Sequence, residues 1–221
     1  MRKIRTATFI SLDGVMQGPG GPDEDPTGGF AYGGWVWPHF DEASGEFMDR
    51  AMGQDYDLLL GRRTYEIFAA YWPRMDDEIG RTFNSIAKYV AAGPETPMTW
   101  AGSHRLEGDV AEAVARLKQD GDRDLLIQGS SELIHTLLAA DLIDEMVTLT
   151  FPIILGRGKR LFDEGSNPHA WTLVSSTASS TGVVVSTYRR AGAVPTGSFV
   201  EVAPDAAELA RRERWAREDR G

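Results

Sequence analysis

The chain has 221 residues, no cysteine, 42% apolar residues and a formal net charge of −10. That length suits one sizeable core rather than two full domains, and the missing cysteines exclude disulfides, thiol redox chemistry and thiolate metal sites. The acidic balance opposes an extended nucleic-acid surface, and no apolar run approaches the roughly 18 residues of a membrane span. With no secretory leader pattern at the start, a cytoplasmic protein with neither nucleic-acid nor membrane partners is expected.

Residues 3–11 are β-prone and predict an interior strand, ended by Ser11-Leu12-Asp13-Gly14. Residues 15–38 are rich in Gly and Pro but carry Phe30, Tyr32, Trp35 and Trp37, so they predict a binding loop or lid with aromatic anchors, against the alternative of a disordered insertion. Helical spacing follows over 40–52, with Phe40, Ala43 and Phe47 on one face. A short strand over 57–60 leads into a helix over 62–71, which Trp72-Pro73 terminates. A helix over 76–85 and a strand over 88–92 come next, then a turn-rich interval containing Pro97 and Trp100. Residues 109–118 predict a helix, 124–127 a strand, and 132–140 a helix capped by Ser130 or Ser131. A long apolar strand over 144–155 contains Pro152, and 171–177 with 182–190 predict a hairpin. This order implies an α/β fold over residues 1–190, with a largely parallel sheet finished by antiparallel strands. Residues 191–221 read as a charged tail, with an exposed helix from 208 onward, that packs across the domain or a dimer partner, with disorder as the alternative.

Two strand-to-helix junctions carry the chemistry. Leu60-Gly61-Arg62-Arg63-Thr64 places a glycine, free first-turn amides and positive charge together, as a phosphate requires. Ile127-Gln128-Gly129-Ser130-Ser131 repeats the pattern without the arginines. As local patterns, the two glycines fit tight turns as well as a phosphate cradle. Asp13 either orients a substrate amine or holds its loop. Asp41 and Glu42 either pair with a protonated heterocycle or stabilise a helix start. Trp35, Trp37 and Tyr32 are either walls for a flat ligand or core and dimer packing. His104, His135 and His169 lie far apart and form no metal-ligand spacing, so no metal is expected.

Taken in order, Ser11-Leu12-Asp13-Gly14, Leu60-Gly61-Arg62-Arg63-Thr64-Tyr65-Glu66, Ile127-Gln128-Gly129-Ser130 and Leu155-Gly156-Arg157-Gly158-Lys159-Arg160-Leu161-Phe162 resemble the dihydrofolate reductase superfamily. The closest resemblance is to the riboflavin-biosynthesis reductase (RibD C-terminal) domain and its bacterial dihydrofolate-reductase-like relatives, over residues 1–190. It implies a three-layer fold with helices on both faces of the sheet, and NADPH-dependent hydride transfer to a small pterin- or pyrimidine-like heterocycle in a homodimer. Carried onto this sequence, Gly61, Arg62, Arg63, Thr64, Gln128, Gly129, Ser130 and Ser131 become the cofactor-binding residues. Asp13 and Asp41 are then the catalytic candidates, and Trp35, Trp37 and Glu42 the substrate-binding ones. Where related reductases often follow the strand over 88–92 with serine and arginine, this chain has Ala92-Gly93-Pro94, which leaves NADH or another redox cofactor open. A binding protein that keeps the fold without turnover is the alternative.

Overall fold

Tyr56–Gly61 (β2) is buried along its whole length, as a strand covered on both faces must be. Leu58 and Leu60 enter one core layer and Leu59 the other, the two-residue alternation of a pleated strand. The structure is a computed structural model that describes residues 1–53, 55–163 and 166–219. The last two residues predicted for the tail lie outside the described residues.

Around β2, the described residues form an eight-stranded sheet. The other strands are β1 (Ile4–Ser11), β3 (Lys88–Ala91), β4 (Ser103–Arg105), β5 (Asp124–Ile127), β6 (Glu145–Phe151), β7 (Ala170–Ala178) and β8 (Val184–Gly192). Their spatial order is β4-β3-β2-β5-β1-β6-β8-β7, parallel from β4 to β6, with β8 antiparallel to both β6 and β7. The helices are α1 (Glu42–Met52), α2 (Arg62–Tyr71), α3 (Glu78–Ser85), α4 (Val110–Gln119), α5 (Ser131–Ala139) and α6 (Ala206–Glu218).

Right-handed crossovers dictate where the helices lie. The connections from β1 through β4 progress toward one edge and place α1, α2 and α3 on one face, where Phe47, Tyr65 and Phe83 join Leu58, Leu60 and Val90. The connections β4 to β5 and β5 to β6 progress the other way and place α4 and α5 on the opposite face, where Val114, Leu133 and Leu137 meet Leu59, Leu125 and Ile127. Neighbouring β2 and β5 therefore send their helices to opposite faces. A crevice opens above their C-terminal ends, the usual ligand position in such sheets.

Several expectations shift in detail. The turn-rich interval after β3 contains the short edge strand β4, paired with β3. The strand expected to run to residue 155 stops at Phe151, because Pro152 has no amide for the ladder. The loop predicted over 15–38 is ordered by its own contacts: Trp35 Nε1 donates to Gln17 O at 2.8 Å and Gly34 N to Gly18 O at 2.8 Å. Gly33 packs so closely on that loop that a Cβ there would lie 2.3 Å from Pro22 O.

Candidate active site

The crevice is a cleft of about 1030 Å³ over the C-terminal ends of β1, β2 and β5. Its floor is residues 61–64 and 128–133, its roof is residues 16–25, and Phe9, Val36, Ile67, Phe68, Tyr71 and Trp72 line one arm. The eight predicted cofactor-binding residues, Gly61, Arg62, Arg63, Thr64, Gln128, Gly129, Ser130 and Ser131, all line this cleft.

The two floor turns are locked together. Gly61 N donates to Ser130 Oγ at 2.8 Å, and Thr64 Oγ1 lies 2.6 Å from the same oxygen. A Cβ on Gly61 would sit 2.6 Å from Ser130 Oγ, so only glycine admits the serine. Ser130 in turn holds a left-handed backbone at φ 76° and ψ 77°, a conformation costing on the order of 1 kcal/mol outside glycine. The helix cap expected of Ser130 or Ser131 is not made, because no side chain caps α5 and the Ser130 hydroxyl is turned to Gly61 instead.

That choice leaves first-turn amides available. Helices α1, α3, α4 and α6 start with an aspartate whose carboxylate accepts a first-turn amide: Asp41, Asp77, Asp109 and Asp205. Helices α2 and α5 start from Gly61 and Ser130 with no side-chain cap. Both uncapped ends open onto the cleft, where their unpaired N–H groups and positive dipole ends favour an anion. Arg62 is drawn to Glu66, with Nη1 3.0 and 2.9 Å from the two carboxylate oxygens, while Arg63 Nη1 reaches Thr27 Oγ1 at 3.3 Å. Gln128 directs its amide to Met52 Sδ at 2.8 Å.

The roof is held by charges the sequence patterns did not single out. Lys159 Nζ pairs with Asp25 and contacts Thr27 Oγ1 at 3.1 Å, and Gln17 braces both segments by accepting from Lys159 N at 3.0 Å and donating to Asp25 O and Thr27 O. Burial works to raise the Asp25 pKa, but hydrogen bonds from Lys159 and Thr27 outweigh it and hold the carboxyl below its usual range. Glu24, also in the roof, is shifted upward, chiefly by burial, although Gly20 and Gly21 donate their amides to it. The basic turn over 156–160 thus meets acids of its own chain: Lys159 with Asp25, and Arg160 with Asp13.

The remaining candidates lie apart from the cleft lining. Asp13 accepts from Ser11 Oγ at 2.6 Å, Leu155 N at 3.0 Å and Gly156 N at 2.9 Å, pinning the end of β1 to the segment after β6. Burial acts to raise its pKa, yet these hydrogen bonds bring it down to about 2. Asp41 caps α1 through Ser44 and also accepts from Ser180 Oγ at 2.8 Å; the Ser44 and Ser180 hydroxyls lower it to about 2. Glu42 is exposed in the first turn of α1. Trp35 is buried edge-on to Phe151, with centroids 5.3 Å apart, and Trp37 is 83% exposed. Between them, Val36 alone reaches the cleft wall. The aromatic lining comes from Phe9 on β1 and from Phe68, Tyr71 and Trp72 on and just after α2, none of which the sequence reading had placed in the site.

Residues 2–185 match the model of the RibD C-terminal domain. The chain belongs to the RibD C-terminal domain family. It is 25% identical over 196 residues to the protein YyaP of Bacillus subtilis (strain 168), covering 85% of this chain and 94% of that one. Among solved structures, it superposes on a proposed riboflavin biosynthesis protein of Shewanella sp. PV-4 with a TM-score of 0.61 at 24% identity, over 86% of this chain and 99% of the other. A dihydrofolate reductase of Enterococcus faecalis, solved with NADP(H) and RAB-propyl, superposes with a TM-score of 0.55 at 14% identity, over 85% and 96% of the two chains. The fold of this family member is dihydrofolate-reductase-like: a mostly parallel sheet between two helical layers, closed by an antiparallel hairpin. No described helix is long and apolar enough to cross a membrane.

Proposed function

We propose that this protein is a pyridine-nucleotide-dependent reductase that transfers hydride, from NADPH in the first instance, to a small heterocyclic substrate of pterin or pyrimidine type. The observation that carries this is the junction of Gly61, Thr64 and Ser130, where two uncapped helix ends meet over one crevice. The residues fit a dinucleotide: glycine permits close backbone approach, the amides of α2 and α5 suit a pyrophosphate, and Arg62 and Arg63 add positive charge. At about 1030 Å³ the cleft lies at the top of the ~300–1,000 Å³ typical of small-molecule sites, as an elongated ligand requires.

When bound, the cofactor supplies the hydride. The chain supplies the rest of the chemistry. Phe68, Tyr71, Trp72 and Val36 offer an apolar arm for a flat ring. The roof over 16–25, latched by Lys159 and Asp25, keeps water from the reacting atoms. Glu24 is a carboxyl of the roof over the same cleft, its pKa shifted upward by burial. A cytoplasmic location, where reduced nicotinamide nucleotides are held, belongs to the same proposal.

Titrating the protein with NADPH and NADH while following tryptophan emission tests the binding step, because Trp72 lines the cleft. Saturable quenching is expected, stronger for one of the two nucleotides, and its absence with both sinks the proposal. A binding protein without turnover is the second possibility, favoured by the commitment of Asp13 and Asp41 to a turn and a helix cap. It would bind the nucleotide without oxidising it in the presence of any pterin or pyrimidine acceptor.

A further inference from the structure

Charge and apolar surface are segregated within the cleft, and α2 does the sorting. Two rows of side chains four residues apart run along one face of this helix: Arg63, Ile67 and Tyr71, and Thr64, Phe68 and Trp72 just past its end. All six line the cleft. Each row starts with a polar residue at the floor turn and ends two turns later, about 12 Å along the axis, with an aromatic ring in the arm. Phe9 and Val36 complete the arm, and among the described residues that form it none is charged.

The cations of the cleft are already engaged. Arg62 and Arg63 stand at the floor turn assigned to the nucleotide, and Lys159 is paired with Asp25. Arg74, two residues past Trp72, is exposed and does not line the cleft. Asp23, Glu24 and Asp25 in the roof and Glu132 in the first turn of α5 outnumber those three cations. The polar groups that the arm does offer are neutral. The Tyr71 phenol and the Trp72 indole N–H make no hydrogen bond to described residues, and they suit a ring carbonyl or amide.

We infer that the substrate of the proposed reductase, a reading on which this inference rests, is an uncharged flat ring that carries no phosphate or carboxylate group. An ionised group taken into the arm would lose its water without gaining a counter-charge. An anionic group projecting from the arm toward the roof would meet more carboxylates than cations. The long cleft thus has one anion-binding end, filled by the nucleotide, and one neutral end for the ring.

Calorimetric titration in two stages tests this. The full chain is first loaded with NADP+, and absence of binding at that stage sinks the reductase reading itself. The loaded protein is then titrated with ligands that share a ring and differ in charge: uridine against uridine 5′-phosphate, and biopterin against folate, whose tail carries two carboxylates. In at least one pair the uncharged member should bind, about tenfold or more tightly than its charged counterpart, and neither charged member should match its neutral one. Ile67→Arg, which puts a cation into the arm, should move the ratio for the first pair by about tenfold toward uridine 5′-phosphate. With NADP+ bound, equal or tighter binding of either charged ligand overturns the inference, whether or not Arg74→Ala then weakens it. So does binding of neither uncharged ring.

Discussion

The hydroxyl of Ser130 accepts a hydrogen bond from the amide of Gly61 at 2.8 Å, joining two turns 69 residues apart in sequence. Gly61 has an ordinary extended backbone, φ −79°, so any residue could adopt it; the neighbour, not the dihedral, excludes a side chain. Gly61→Ala would drive a methyl to 2.6 Å from Ser130 Oγ, and overpacking of this kind costs about 1–3 kcal/mol. Adding Ser130→Gly removes both the clash and the left-handed strain. The double variant should recover most of the stability lost in Gly61→Ala, a positive coupling read by urea denaturation of the four proteins of the cycle.

Asp13 gives the acid limb of the stability curve a defined origin. Its folded pKa of about 2 lies below the ordinary 3.8, so its contribution is complete above about pH 4 and is lost as pH falls toward 2. Asp41 titrates in the same direction over the same range. Asp13→Asn should therefore flatten, without abolishing, the fall in urea midpoint between pH 4 and pH 2. An unchanged slope would show that the hydrogen bonds to Leu155 and Gly156 do not hold the charged form.

Lys88 acts at the other end of the scale with the opposite sign. It is fully buried, donates to Asn84 O at 3.1 Å and Ala101 O at 2.9 Å, and lies 4.4 Å from the centroid of the Trp100 ring. Burial lowers its pKa from 10.5 to about 8, against the pull of Asp57. The unfolded chain thus binds more protons above about pH 8, and stability should rise with pH there, by on the order of 2 kcal/mol up to pH 10. Above pH 10 the buried phenol of Tyr56, whose pKa is raised, works the other way. Lys88→Met should remove the rise between pH 8 and 10, measured by denaturant midpoints.

Arg2 and Asp57 form a buried ion pair at the opposite end of the sheet from the cleft, and their side chains are 2% and 9% exposed. Asp57 also accepts from Ala87 N at 3.3 Å and lies 3.7 Å from Arg123. Removing one partner strands a buried charge, so Asp57→Ala should cost about 3–5 kcal/mol. Replacing both with apolar residues, as in Arg2→Met with Asp57→Leu, should cost less. A loss in the double variant equal to the sum of the two single-variant losses in thermal denaturation would mean the pair is not coupled.

The alternation of strands and helices was legible because β2, β5 and β6 are apolar runs bounded by glycine or proline, and the amphipathic helices follow a 3.6-residue period. β4 was not legible, since Ser103-His104-Arg105 has neither apolar character nor alternation and is a strand only by pairing with β3. The floor of the cleft was readable because its signal is local: a glycine, then free amides. Its lock was not, because Ser130 looks like a helix cap until Gly61 is brought beside it by the fold. The same limit applies to Trp35 and Trp37, whose neighbours Phe151 and solvent are set by tertiary structure. It applies equally to Lys159, whose partner Asp25 lies 134 residues away.

A crystal structure of the protein with NADPH addresses the central claim most directly. The pyrophosphate is expected against the first-turn amides of α2 and α5, beside Gly61 and Ser130, with the nicotinamide directed into the arm lined by Val36, Phe68 and Trp72. Nucleotide bound elsewhere, or a Gly61–Ser130 junction that stays closed to ligand at saturating NADPH, would contradict it.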